Sequence, residues 1–220
     1  MQISVCSSVK RQKNLMASKD LNRAERAAVY QLLARLWAEE PDRLLEQLRA
    51  EPLCSAWEQL GGIVPDEDSD DTHSSLDEDY CRLFIGPKEH LPPIQSVWMS
   101  GELDTGVTSS LREFNTVIGF EEPWNFDIIP DHLGNELWAM GQILRKSVKL
   151  PFDDNIADDL ACQFFNGHLN WTGEFLDAVI DREFNRFYGT VASVTQQFLR
   201  DEATHLEVPA QQELLQSRNV

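Results

Sequence analysis

The sequence predicts an all-α fold, organised as a single-domain helical bundle. Apolar residues recur at helical spacing over much of the chain, Gly and Pro separate these segments, and no alternating run of β-branched residues is long enough for a sheet. The chain has 220 residues, of which 42% are hydrophobic, enough to bury a substantial core. We expect the helical domain to span residues 18–205, with a disordered tail at 1–17 and a flexible C-terminus at 206–220.

The first two helices are predicted from apolar stripes that end at breakers. One broad apolar face lies between about Asp20 and Glu39, and Pro41 ends that helix. A shorter stripe follows through Leu44, Leu45 and Leu48. The next segment is predicted to be a loop, because clustered like charges repel and cannot pack. That loop contains Asp66, Glu67, Asp68, Asp70 and Asp71.

Capping-box spacing predicts where the next two helices begin. Ser75 and Glu78 predict a helix running to Phe84, and Ser110 and Glu113 predict one ending near Gly119. Residues 86–106, between them, are predicted to form a non-helical loop or hinge, because proline lacks the backbone donor and clashes with the preceding turn. The breakers of this loop are Gly86, Pro87, Pro92 and Pro93.

The second half of the chain predicts three more helical stripes. After a connector anchored by Trp124 and Phe126, a helix of about eighteen residues begins at Asp131 and is closed by Pro151. Its core stripe is Leu133, Leu137, Met140 and Leu144. The later stripes are Phe175, Leu176, Val179 and Ile180, and then Phe184, Phe187, Val191, Val194 and Phe198.

Charge and cysteine usage limit the classes of partner and compartment. The chain has 19 basic and 37 acidic residues, a net charge of −18, which disfavours nucleic acid and favours a basic partner. Its four cysteines contain no CxxC pair and indicate reduced, intracellular thiols. No apolar run reaches the roughly 18 residues that span a bilayer. We therefore expect a cytoplasmic protein without stable membrane insertion.

Two motifs carry a resemblance to a known family. The first comprises, in chain order, Tyr80, Leu83, Phe84, Gly86, Pro87, Pro92, Pro93, Ser96 and Trp98. The second comprises Asp131, His132 and Leu133 at a predicted helix start. Together they resemble the TorD/DmsD family of twin-arginine leader-binding chaperones, the redox enzyme maturation proteins. The chain departs from the family pattern at Ile128 and Ile129, where a Glu-Pro pair is usual.

The resemblance implies a cytoplasmic chaperone rather than an enzyme, with no cofactor or metal of its own. Such a protein binds the twin-arginine signal peptide of a molybdenum-cofactor oxidoreductase subunit, assists cofactor insertion and assembly, and prevents premature export. The implied partners are the leader peptide and the apo form of the catalytic subunit, with a guanine nucleotide as a weak further partner. The implied oligomeric state is a monomer or a domain-swapped dimer. The residues of both motifs form the implied peptide-binding site.

The chemistry of the motif residues suits a leader that has a basic segment followed by an apolar one. Leu83, Phe84 and Trp98 offer contact area worth about 25 cal/mol per Å² of apolar surface removed from water. Asp131 can accept hydrogen bonds from an arginine fork, and His132 can hold that carboxylate or donate to a peptide carbonyl.

Each of these residues also has a structural interpretation. Asp131 suits a helix N-cap, and Tyr80, Leu83 and Phe84 suit a core. His132 and Glu136 have the i,i+4 spacing of a metal-binding pair, but no third ligand lies near in sequence.

Two other function classes remain open. An enzyme is disfavoured, because the chain has no nucleophile elbow, phosphate loop, HExxH or paired-cysteine motif. A general helical adaptor that binds some other protein is the alternative function. A neighbouring gene for a molybdoenzyme with a twin-arginine leader would favour the chaperone over the adaptor.

Overall fold

The fold is helical throughout the part of the chain that the structure describes, as the sequence predicts. A computed structural model describes residues 21–64, 71–103, 105–119, 129–149, 154–182 and 186–207. Within these ranges there are ten α-helices, one π-helical turn and a single isolated β-bridge. The helices are α1 (Arg23–Ala38), α2 (Pro41–Leu48), α3 (Leu53–Gln59), α4 (Asp71–Tyr80), α5 (Gln95–Ser100), α6 (Thr105–Ile118), α7 (Leu133–Lys149), α8 (Asp154–His168), α9 (Thr172–Ile180) and α10 (Arg186–His205). The π-helical turn, Cys81–Ile85, continues α4.

Helices α1 and α7 pack closely along one another at the centre of the bundle. Two glycines of α7 allow this approach. A Cβ atom at Gly134 would lie 2.6 Å from the Cβ of Ala38, and one at Gly141 would lie 3.2 Å from the carbonyl oxygen of Ala27. Side chains at these two positions would therefore push the helices apart.

The predicted apolar stripes form the core. Leu133, Leu137, Met140 and Leu144 of α7 are all buried, which confirms that stripe. Helix α2 buries Leu44, Leu45 and Leu48, as predicted. The stripes of α9 and α10 are also confirmed, by the buried residues Phe175, Leu176, Val179, Phe187, Val191, Val194 and Phe198.

A buried ion pair joins α1 to α10. Arg26 donates from Nε and Nη2 to the two carboxylate oxygens of Glu202, each over 2.7 Å. Neither side chain reaches solvent, with exposures of 3% and 0%. Near the other end of α1, the indole of Trp37 donates to the Thr195 hydroxyl over 3.0 Å, so two polar contacts align these helices.

Both predicted capping-box starts are wrong. Helix α4 begins at Asp71, ahead of Ser75, and α6 begins at Thr105, ahead of Ser110. In α6 the Ser110 hydroxyl lies 3.0 Å from Nε2 of His168, so this side chain serves a tertiary contact inside the helix. The same Ser-x-x-Glu spacing occurs within helices, where it has no capping role.

The predicted loop at 86–106 also needs correction, because α5 lies within it. The helix starts two residues after Pro93, beyond the reach of the proline breakers. Helices α3 and α8 were not predicted either. Trp124, Phe126, Pro151 and Phe184, together with residues 66–70 and the termini at 1–20 and 208–220, lie outside the described residues. In the described part of the chain, no helix has both the length and the apolar character to cross a membrane.

Candidate functional site

The two sequence motifs meet in a short antiparallel bridge ahead of α5 and α7. Ile94 pairs with His132 in this bridge. The backbone N–H of Gln95 donates to the carbonyl of Asp131 over 3.0 Å, and the N–H of Leu133 donates to the carbonyl of Pro93 over 2.8 Å. The second motif is therefore fixed against the Pro-rich segment of the first.

The Asp131 carboxylate reinforces this junction. Its Oδ2 accepts a hydrogen bond from the backbone N–H of Ser96 over 3.0 Å, in the first turn of α5. Asp131 therefore has the capping role that its residue type suggests, but it caps α5 and not the α7 helix that follows it. The residue is only 1% exposed, so in this conformation its carboxylate lies away from an arginine at the surface.

His132 is also buried, and it is neutral at physiological pH. Its Nδ1 accepts a hydrogen bond from the backbone N–H of Gly134 over 3.0 Å. Burial lowers the pKa of His132 to about 4, although the neighbouring Asp131 opposes the shift. A neutral imidazole that accepts a local backbone bond orients the start of α7.

Leu83 and Phe84 lie in the core, with exposures of 1% and 6%. The Phe84 ring lies 5.2 Å from the rings of both Tyr80 and Tyr188 and 5.8 Å from that of Trp37. Contact distances of this kind typify edge-to-face packing of aromatic side chains. The structure thus uses this pair to join the first motif to α1 and α10, and a bound peptide would not touch it in this conformation.

The Pro-rich part of the first motif packs on α9. The Trp98 indole donates to the carbonyl of Pro92 over 2.7 Å, and its ring lies 5.5 Å from that of Phe175. Trp98 and Pro92 remain partly exposed. Pro93, Ser96 and Leu133 are buried.

Gly86 and Pro87 lie where the π-helical turn ends. The Gly86 N–H donates to the carbonyl of Cys81 over 2.6 Å, the i to i−5 bond that closes the turn. Gly86 is partly exposed and Pro87 is exposed, and both line a cavity of about 350 Å³. Single π-helical turns inserted in α-helices frequently occur at functional sites.

A buried polar network surrounds this junction. His168 lies 3.0 Å from Gln95 through Nδ1 and 3.0 Å from Ser110 through Nε2, so one imidazole connects α5, α6 and α8. Burial lowers the pKa of His168 to about 4. Glu136 is fully buried and accepts a hydrogen bond from the Trp171 indole over 2.9 Å. Burial raises its pKa well above the ordinary value.

Comparison with known proteins identifies the family. Residues 45–177, more than half of the chain, match the family described as Nitrate reductase delta subunit. The chain belongs to this family. It is 29% identical to Chaperone protein TorD of Shewanella sp. (strain MR-4) over 215 residues, which cover 87% of this chain and 98% of that protein. It is 27% identical to Chaperone protein YcdY of Escherichia coli (strain K12) over 123 residues, 56% of this chain and 60% of that protein. The predicted TorD/DmsD resemblance is thus confirmed.

Both motifs lie within the region that matches the delta-subunit family. Among the exposed apolar side chains of this region, sequence reasoning missed three that follow the first motif closely: Ile85, Met99 and Leu103, which are 63%, 58% and 63% exposed. Each follows a motif residue by one to five positions. A large apolar residue just beyond a buried motif position is the signal that could have identified them. Gln95 and Glu136 were missed as members of the buried network, because only tertiary contacts reveal their partners.

Proposed function

We propose that this protein is a cytoplasmic chaperone that binds the twin-arginine signal peptide of a molybdenum-cofactor oxidoreductase subunit. It assists cofactor insertion and assembly of that subunit and prevents its premature export. The observation that carries the proposal is the match to Shewanella TorD chaperones over 87% of the chain. The apo form of the catalytic subunit is the wider partner.

The burial of the motif residues divides them into two roles in this proposal. Asp131, His132, Leu83 and Phe84 hold the junction together and act as positioning residues. Direct contact with the leader is assigned to motif residues that reach the surface, among them Gly86, Pro87, Pro92 and Trp98. Ile85, Met99 and Leu103 extend this contact surface for the apolar segment of the leader.

The negative charge of the protein supports the choice of a basic partner. With a net charge of −18, the protein attracts the arginines of a leader before contact is made. Salt screens this attraction over about 8 Å at physiological ionic strength. Ordering the leader costs about 2–5 kcal/mol, so a dissociation constant of about 1 μM is expected, which permits release of the client.

Isothermal titration tests the proposal. The protein is titrated with the twin-arginine leader of a molybdoenzyme encoded beside it, and with matched leaders carrying two lysines or two alanines in place of the arginines. Micromolar binding that weakens with both replacements, and weakens further in added salt, supports a leader receptor. An absence of heat, together with no competition against a labelled leader, would overturn the proposal and favour the adaptor function.

A further inference from the structure

The cavity beside the first motif is lined by basic side chains from three separate segments. It has a volume of about 350 Å³ and lies where the π-helical turn, the loop after it and the residues beyond α9 come together. These segments contribute Arg82, Lys88 and Arg182 respectively. No two of the three basic residues are neighbours in sequence, so the fold brings them to one cavity.

The cavity is positively charged although the chain as a whole is strongly acidic. Acidic residues outnumber basic ones by 37 to 19, yet the cavity lining holds three basic side chains and one acidic one, Glu89. Arg82 also lies near Asp79, whose pKa is raised by burial and lowered in part by that guanidinium. A local positive site of this kind attracts a carboxylate of an approaching partner, although the surrounding negative surface opposes a partner with a long run of acidic residues.

Glu89 shows how a carboxylate approaches the cavity. Arg182 donates from Nη2 to the Glu89 backbone carbonyl over 2.9 Å, and this bond fixes the loop. The Glu89 carboxylate lies 3.8 Å from Nη1 of Arg182, beyond hydrogen-bond length, and its side chain is 84% exposed. The residue has a φ of 54°, in the left-handed region that side chains rarely adopt. The carboxylate of the chain itself is thus a loosely held neighbour of the guanidinium, which an incoming group can replace.

We propose that this cavity binds a carboxylate of an acidic peptide segment, which takes the place of the Glu89 carboxylate beside Arg182. A guanidinium fork matches the two oxygens of a carboxylate, and Lys88 adds a point charge at the exposed edge. The site goes beyond the proposed leader binding, because the twin arginines cannot occupy a basic cavity. Gly86 and Pro87 also line this cavity, so the leader segment that contacts them is the apolar one. It gives the chaperone a contact for an acidic stretch of a partner polypeptide.

Nuclear magnetic resonance of the full-length, ¹⁵N-labelled protein tests this directly at the arginine side chains. The probes are a capped glycine-rich peptide with two glutamates, the same peptide with two glutamines, and a glycine peptide with a free C-terminal carboxylate. We expect saturable shifts of the Arg82 and Arg182 Nε–H resonances with the glutamate peptide and none with the glutamine peptide. Larger shifts with the free C-terminal carboxylate than with the glutamate peptide would show that the cavity prefers a chain terminus to an acidic side chain. The proposal would be overturned if no probe shifted these resonances, or if the glutamine peptide shifted them as much as the glutamate peptide. Inorganic phosphate that bound more tightly than the glutamate peptide would also overturn it.

Matched variants separate a specific site from general electrostatics. Arg182→Gln is expected to weaken the glutamate peptide about tenfold, the effect of losing one charge-assisted interaction. Arg200→Gln removes the same charge from an exposed position of α10 and should change the affinity by less than about twofold. Glu89→Gln should strengthen binding, because it removes the competing carboxylate. Equal effects of Arg182→Gln and Arg200→Gln would contradict a defined site. Since leader titration is a separate measurement, failure here leaves the proposed function standing.

Discussion

Asp131 and Ser96 connect the two sequence motifs: the carboxylate Oδ2 of Asp131 accepts a hydrogen bond from the backbone N–H of Ser96 over 3.0 Å. The Asp131 carbonyl also accepts from the N–H of Gln95, so both its side chain and its backbone hold the first turn of α5. Helix α5 has no acidic residue in its own first turn. The side chain of its N-cap residue, Ile94, makes no hydrogen bond to the backbone N–H groups of that turn. The aspartate of the second motif is therefore a structural part of the first.

Asp131→Ala should destabilise the protein by about 1–2 kcal/mol, because it removes a cap and leaves a buried N–H of α5 without its acceptor. Asp131→Asn keeps an oxygen acceptor at the same place and should lose less. Urea unfolding measures both effects. Unchanged stability in the alanine variant would contradict the capping role. Titration of the asparagine variant with the leader then tests whether the charge itself contributes to binding.

Leu83 and Ile85 lie two positions apart and provide a matched pair. Leu83→Ala should cost about 2–5 kcal/mol, since it opens a cavity in the core. Ile85→Ala should change stability by less than about 0.5 kcal/mol, because the side chain is 63% exposed. If Ile85 contacts the leader, its alanine variant binds the leader more weakly at unchanged stability. Unfolding midpoints and leader titration measure the two effects, and comparable destabilisation by both variants would contradict this division.

Glu136→Gln should stabilise the protein at alkaline pH. Burial raises the pKa of Glu136 well above its ordinary value of 4.5, so above that pH the folded protein retains a proton that the unfolded chain releases. Stability supplied by this group therefore falls as pH rises above about 4.5. Glutamine does not titrate and can still accept the bond from Trp171.

The test of Glu136→Gln is the pH dependence of its effect. Unfolding free energies of both proteins at pH 5 and pH 8 give the difference at each pH. We expect the advantage of glutamine to be larger at pH 8. An advantage that shrinks as pH rises would mean that Glu136 is ionised in the folded protein. His132 and His168 have pKa values of about 4, so both are mainly neutral in the folded protein between pH 5 and pH 8 and contribute little to the difference.

Periodicity predicted the parts of the fold whose cause is local. The α7 stripe from Leu133 to Leu144 is fully buried because one apolar face repeats over the whole helix. Apolar periodicity could not predict short elements that are stabilised by residues distant in sequence. Helix α5 has six residues, and its capping carboxylate lies 35 positions away from Ser96. The π-helical turn depends on a register shift that no apolar pattern records.

The structure brings the two motifs together, but the exposure of their residues could not be read from sequence. Leu83 and Phe84 have the same residue types whether they line a groove or a core, and only their contacts with Trp37 and Tyr188 place them in the core. The basic cavity was missed for the same reason. Arg82 and Arg182 are separated by about half of the domain, and the composition of the chain shows only the excess of acidic residues.

Breaking the buried ion pair between Arg26 and Glu202 should strongly destabilise the α1–α10 contact. Glu202→Ala leaves a guanidinium that is 3% exposed without its charge partner, and this should cost about 3–5 kcal/mol. The Arg23–Asp158 pair has the same 2.7 Å separation, but its side chains are 20% and 50% exposed. Asp158→Ala should therefore cost at most about 1 kcal/mol.

A double variant decides whether the cost comes from the lost attraction or from the stranded charge. Arg26→Met combined with Glu202→Leu removes both charges and fills the space with apolar atoms, so it should recover most of the stability lost in Glu202→Ala. Urea unfolding at constant ionic strength provides the comparison, with Asp158→Ala as the surface control. Equal losses in Glu202→Ala and Asp158→Ala would show that Arg26 reaches water once its partner is gone. The α1–α10 contact would then be held by its apolar residues and by the Trp37–Thr195 hydrogen bond.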